Sequence, residues 1–187
     1  MSKRSLLIGL LVVAVSVGGE FAPAQQPPAA TKSPITSTSG LTKAVLKEIQ
    51  DIEERTVAIA EDFPDNLYNS YRPKGDQDVR TAAEILLHVA EQNYSYASLM
   101  RTKQQQDALV TAGTVPHAKD ILTFVSKQDT VTKVKRSFGE VKDAIQSNPD
   151  PKKLEWWLYV IAHSNGHFGN LATYYRDNGL VPPSSRQ

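Results

Sequence analysis

The stretch Lys127-Gln-Asp-Thr-Val-Thr-Lys-Val-Lys-Arg-Ser-Phe-Gly-Glu-Val-Lys-Asp-Ala-Ile-Gln146 decides the fold class of this chain. Its large apolar residues are separated by three, four, three and four positions: Val131, Val134, Phe138, Val141 and Ile145. That spacing places them on one side of an α-helix, in the seam through which packed helices contact each other. The stretch therefore predicts an amphipathic helix, with Ser126 as its N-cap.

Three further segments show helical periodicity, and no stretch alternates between apolar and polar residues as a strand would. Thr81 is followed three residues later by Glu84, the capping-box pattern of a helix start. Asp150 is another predicted cap, and Pro64 and Gly179 end the helices that precede them. Together the patterns predict helices over about residues 41–63, 82–103, 127–146 and 151–178.

The segments outside these helices define the organisation of the chain. Residues 25–40 are rich in Pro, Ser, Thr, Ala and Gln and predict a flexible tether before a domain over residues 41–185. Residues 65–78 are predicted to be irregular, and a long connection covers about residues 104–125, with a helical turn near 118–124. Connections in simple up-down bundles take about 2–8 residues, so this one is long enough for a crossover. Four amphipathic helices without strands predict an all-α, four-helix bundle.

The first 24 residues have the three parts of a secretory signal. Lys3 and Arg4 supply positive charge, residues 6–17 are apolar, and small residues surround a cleavage position after Ala24. The apolar run is shorter than the roughly 20 residues that span a bilayer. We therefore expect cleavage after Ala24 and a periplasmic or extracellular protein, with an uncleaved membrane anchor as the alternative.

The amino-acid composition limits which metal ligands, nucleophiles and binding partners are expected. The 187 residues include no cysteine, so no thiolate binds metal or acts as a nucleophile, and histidine and carboxylate remain as ligands. Without the leader, 19 basic and 19 acidic residues balance. A nucleic-acid-binding protein would show a basic excess on one face, so no nucleic-acid partner is expected. After cleavage no stable membrane insertion is expected, and a homodimer remains open.

The last predicted helix contains the pattern His163-Ser-Asn-Gly-His167. Histidines four positions apart project from one face of a helix, one turn above the other. The same face carries four further residues: Trp156, Val160, Asn170 and Tyr174. The face looks inward at its start, and two buried imidazoles without partners would be costly, whereas one metal ion would satisfy both. A metal site and a hydrogen-bonded core pair are both open on this evidence.

Three more residues bear on this site. His88 lies two turns into the second predicted helix, among apolar residues, and is the third candidate ligand. His117 falls in the long connection and is predicted to be a solvated loop residue. Gly166 costs about 1 kcal/mol of helix stability against alanine, so we expect it to permit the close approach of a neighbouring helix or ligand.

Four stretches of the chain, of which the first is Arg80-Thr-Ala-Ala-Glu-Ile-Leu-Leu-His88, resemble the DinB-like family. The others are residues 133–138, 161–171 and 174–185, and the resemblance extends over about residues 41–185. The members of that family, which include YfiT-type metalloenzymes, are four-helix bundles with a long crossover between the second and third helices. In them a histidine of the second helix and a His-x-x-x-His pair of the last helix bind nickel or zinc.

The resemblance implies that His88, His163 and His167 bind one divalent ion, zinc or nickel. Three neutral imidazoles leave a coordination position open for water or a substrate group, as in catalytic sites. Further candidates for the surrounding pocket are Glu91, Asn170 and Tyr174. The pattern favours a solvated helix surface for Glu91, and core-packing or cap roles suit Asn170 and Tyr174 equally well. At the ordinary imidazole pKa of about 6.5, metal binding is expected to weaken below about pH 6.

Two functions follow from these observations. The first is an exported metal-dependent hydrolase or transferase that acts on a small molecule, with its catalytic residues unidentified. The second is a non-catalytic bundle that holds metal or a small ligand.

Overall fold

The computed structural model describes residues 38–186, and every regular element in that range is helical. The α-helices are, in chain order, α1 (Thr38–Asp62), α2 (Asp65–Tyr68), α3 (Ala82–Met100), α4 (Lys103–Thr111), α5 (Ala118–Leu122), α6 (Lys127–Ser147) and α7 (Leu154–Asp177). Short 3-10 turns lie at Pro73–Gly75, Pro151–Lys153 and Pro183–Ser185. The predicted all-α class is confirmed. The leader and residues 25–37 of the predicted tether lie outside the described residues.

The predicted helix caps are present. Thr81 Oγ1 accepts a hydrogen bond from the Glu84 backbone N–H at 3.2 Å, and the Glu84 carboxylate accepts one from the Thr81 N–H at 2.8 Å. Ser126 Oγ accepts from the backbone N–H of Asp129 at 3.1 Å, and the Asp150 carboxylate accepts from that of Lys152 at 3.0 Å. These bonds satisfy N–H groups that have no partner inside the helix, which explains where α3, α6 and the final helical segment begin.

Several predicted boundaries were wrong. α1 begins within the segment predicted as tether, α3 ends at Met100 rather than near Lys103, and α7 begins at Leu154 after a 3-10 turn. The long connection was predicted with one short turn, but it also contains α4. Thr102 caps α4 through a second capping box with Gln105. α4 has no stripe of buried apolar residues, so the capping box is its main sequence signal.

α1 packs against both α6 and α7, and α3 packs against the same two helices. Lys142 Nζ donates to Glu53 and Lys135 Nζ donates to Glu61, each at 2.6 Å, so the contacts run in opposite order and α1 is antiparallel to α6. Between these four helices lies one core of buried apolar residues, among them Ile49, Leu86, Phe138 and Trp157, which are all fully buried.

α3 and α6 run in the same direction. Asn93 Nδ2 donates to Ser137 Oγ at 3.1 Å, and Asn148 Nδ2, just beyond α6, donates to the Met100 carbonyl at 2.7 Å. The paired residues therefore ascend together along both helices. A connection between parallel neighbours must return over the length of the helices, and α4 and α5 lie in that connection. Within residues 38–186, no helix is both long and apolar enough to cross a membrane.

Thr81→Ala is expected to lower the free energy of unfolding by about 1–2 kcal/mol, because Thr81 is buried and caps a core helix. Its hydroxyl also donates to Asn69 Oδ1 at 3.1 Å. Thr102→Ala is the matched control, since it removes the same capping box from α4, which has no buried residues. Urea unfolding measures both variants, and an equal loss for the two would contradict the assigned importance of the α3 cap.

Candidate metal centre

The three predicted histidines come together between α3 and α7. His88 comes from α3, and His163 and His167 lie one turn apart on the facing side of α7. The ring centroids are 5.1 Å apart for His88 and each of the other two, and 4.5 Å apart for His163 and His167. One ring nitrogen from each residue lies within 4.8 Å of the others. The prediction that these side chains are neighbours is confirmed, and they could hold a metal ion.

The separation of the nitrogens suits a common ion. His88 Nε2 and His163 Nε2 are 3.3 Å apart. Two nitrogens bound to zinc at about 2.0–2.1 Å with a tetrahedral angle would be about 3.3–3.4 Å apart. A direct hydrogen bond also fits this distance, but it would engage only two of the three rings. His163 Nδ1 and His167 Nδ1 are buried without a hydrogen-bond partner in the described part of the chain.

All three imidazoles are held in the neutral form. Burial lowers the pKa of His163 and of His167 from 6.5 to about 4, and neighbouring histidines and the positive charge of Arg80 add to the effect. The pKa of His88 is also lowered, first by burial and then by Arg80, while Glu91 opposes the shift. A neutral imidazole has the free lone pair that metal binding requires, so the site is ready to bind at neutral pH.

Glu91 lies next to His88 on α3. Its Oε2 is 4.0 Å from His88 Nδ1, and its side chain is 19% exposed. The carboxylate accepts hydrogen bonds from Gln92 at 2.6 Å and from Ser95 at 3.4 Å. Its negative charge near Nδ1 favours the tautomer with the proton on that nitrogen, which leaves Nε2 free to bind metal. Its role in the site stays a prediction.

The other two pocket candidates lie further along α7. Tyr174 is buried, and its hydroxyl donates to the Arg80 carbonyl at 2.8 Å, at the start of α3. Asn170 is exposed. Its place in the pocket stays a prediction. The face was predicted to look inward at its start, and there Val160 is fully buried, but Trp156 is only partly buried whereas the neighbouring Trp157 is fully buried. His117 is exposed and precedes α5, as the prediction of a solvated residue requires.

Sequence reasoning missed the residues that border the site. Tyr96 and Tyr159 contact each other, with ring centroids 4.8 Å apart, and lie 6.1 and 6.4 Å from the ring of His163. Arg80 lines a cavity that also contains His88. For Tyr96 and Tyr159 the spacing offered a signal, since Tyr159 lies four positions before His163 on the same helix and Tyr96 eight after His88. Arg80 precedes its helix, so no periodicity marked it.

Of the two explanations given for Gly166, the close approach of a neighbouring helix was wrong, and the approach of a ligand stays a prediction. A Cβ built on this residue meets no atom within 4 Å, so no helix approaches closely. Gly166→Ala is therefore expected to raise the free energy of unfolding by about 0.5–1 kcal/mol, because alanine fits the exposed helical position without strain. Thermal unfolding of the metal-free protein measures this. Loss of stability would show that the glycine has a structural role.

Comparison of the chain with protein-family models, with curated proteins and with solved structures gave no match. The functional assignment therefore rests on the geometry of the three histidines and on the chemistry of the residues around them.

Proposed function

We propose that this protein is an exported metal-dependent enzyme, a hydrolase or transferase that acts on a small molecule at the three-histidine centre. The observation that carries the proposal is the convergence of three neutral imidazoles from α3 and α7, with ring nitrogens within 4.8 Å of one another. The donor set fits zinc or nickel, since both ions accept imidazole ligands. Three protein ligands leave a position for a reacting molecule.

The arrangement of the helices supports the proposed DinB-like four-helix bundle. Four long helices share one core, and α3 and α6 are parallel neighbours joined by a long connection. This is the order that the family resemblance implies. In the same resemblance, His88, His163 and His167 occupy the metal-ligand positions.

When bound, a divalent ion would supply Lewis acidity and lower the pKa of a bound water molecule. The side chains of the protein position that ion and shape the space around it. The three imidazoles hold and orient the centre, and the charge of Glu91 fixes the tautomer of His88. The rings of Tyr96 and Tyr159 lie on one side of His163 and add apolar surface next to the centre.

A second candidate function is non-catalytic binding of metal or of a small ligand. The hydrogen bonds of Glu91 favour it, because a carboxylate already bound by Gln92 and Ser95 is a poorer general base. Two further acidic side chains, Asp78 and Glu84, line a cavity with His88, but Glu84 is engaged by Arg72 and by the Thr81 N–H.

A turnover screen separates the two candidates. Protein loaded with zinc or nickel is incubated with ester, amide and phosphate-ester substrates, beside protein stripped by chelator and beside His163→Ala. An enzyme is expected to show activity only when loaded and to lose it in the variant. Stoichiometric metal binding without metal-dependent turnover would favour the binding protein.

Export is part of the proposal, and it predicts the start of the mature chain. The basic residues at positions 3 and 4, the apolar run over 6–17 and the small residues before Gln25 motivate it. N-terminal sequencing of protein recovered from outside the cytoplasmic membrane is expected to begin near Gln25. A chain that begins at Met1 or Ser2 would instead support the membrane anchor.

A further inference from the structure

A cavity opens beside the three histidines, near the start of α3. Its walls include His88 of the candidate metal centre and the side chains of Arg72, Arg80 and Glu84. Arg80 is exposed, whereas His88 is only partly exposed. The cavity therefore leads from solvent to the metal centre, and a ligand that enters it passes Arg80.

The charges of this cavity differ in how they are engaged. Arg72 donates to the Glu84 carboxylate at 2.8 Å, and the same carboxylate caps α3, so these two charges neutralise each other. The Arg80 guanidinium makes no hydrogen bond or ion pair with any of the described residues. Its backbone is held, since the Arg80 carbonyl accepts the hydroxyl of Tyr174 at 2.8 Å. Arg80 thus presents an unpaired cation on a backbone that is held in place.

Arg80 lies close to the metal centre, because it lines the same cavity as His88. Asp78 lines the same cavity and opposes an anionic ligand, which limits the attraction. Even so, the forked donors of arginine match the two oxygens of a carboxylate, and no other cation in this cavity is free to bind one.

We propose that Arg80 binds the carboxylate of a small ligand whose other end occupies the open position at the three-histidine centre. The inference rests on the proposed metal site and specifies its ligand class, a small carboxylic acid with a second polar group. Arg80 then acts as a specificity-determining residue. It selects ligands by charge and orients them toward the ion.

Two hydroxamic acids test this inference. Succinic monohydroxamic acid and butyrohydroxamic acid carry the same zinc-binding group and have similar length, but only the first has a carboxylate at its far end. Both are titrated calorimetrically into the zinc-loaded protein and into Arg80→Ala, Arg80→Gln and Arg136→Ala. Arg136 is the matched control, because it is an exposed arginine of α6 outside this cavity. Mass spectrometry verifies that zinc is retained.

We expect the wild-type protein to bind the carboxylate probe up to about fivefold more tightly than the methyl probe, the upper end of the range of an exposed ion pair. Arg80→Ala and Arg80→Gln should abolish the difference with zinc affinity retained, and Arg136→Ala should keep it. A preference that survives in both Arg80 variants, or no preference in the zinc-loaded wild type, would overturn the inference and leave the proposed metal site standing. Failure to bind zinc at all would overturn both.

Discussion

Replacement of any one of His88, His163 and His167 by alanine is expected to lower the affinity for zinc by about a hundredfold or more. Residues that only support a metal ligand change affinity by about 10–100-fold, so the loss of a ligand itself should cost at least that. The three nitrogens lie within 4.8 Å of one another and would act on one ion, so their contributions are coupled. Each single variant should therefore lose most of the binding, rather than one third.

Calorimetric titration of zinc and of nickel into the variants measures this, together with metal content by mass spectrometry. His117→Ala is the control, because His117 is exposed in the connection between α4 and α5. It should bind as the wild type does. If His88→Ala retained full stoichiometry and affinity, the site would be a two-histidine site on α7 or a hydrogen-bonded pair.

The parts of the fold that could be predicted are those with a strong local signal. The apolar seam of α6 and the caps at Thr81 and Ser126 act within a few residues, so the sequence shows them directly. α4 was missed because its residues 103–111 include no buried side chain, and prediction relied on an apolar stripe. Its capping box, Thr102 with Gln105, was the available signal.

The site was predictable to the extent that its residues share a helix. His163 and His167 follow from a spacing of four, whereas the position of His88 opposite them depends on how α3 packs against α7. Spacing alone does not encode that packing, and the family resemblance supplied it. Arg80 lies before α3, where its distance from the histidines depends on the path of the chain between α2 and α3. The exposure of Asn170 shows the converse limit, since residues on one helical face need not be equally buried, and Tyr174 one turn later is buried.

Zinc binding is expected to persist to lower pH than ordinary histidines would allow. Protons compete with the metal for each imidazole, so a lowered pKa protects binding in acid. With pKa values of 6.5, protonation of two ligands at pH 5 would reduce affinity by about a thousandfold. For His163 and His167 the pKa is about 4, so these two together should cost less than about twofold. For these two ligands the weakening expected below about pH 6 from the sequence therefore moves toward pH 4, and the lowered pKa of His88 acts in the same direction.

Zinc titrations at pH 7, 6 and 5 measure this difference, and a synthetic peptide of residues 154–177 is the control. The peptide carries the same histidine pair without α3 and without burial, so its affinity should fall steeply below pH 6.5. If the folded protein lost affinity as steeply as the peptide, the histidine pair would be solvated.

The same pKa shifts have an opposite effect on the stability of the metal-free protein. The unfolded chain takes up protons at His163 and His167 below pH 6.5, and the folded chain does so only near pH 4. Because the unfolded state then binds more protons, the melting temperature of the metal-free protein should fall as the pH drops through this window. The His163→Ala, His167→Ala double variant should show a smaller fall, since it lacks the two groups whose protonation favours unfolding.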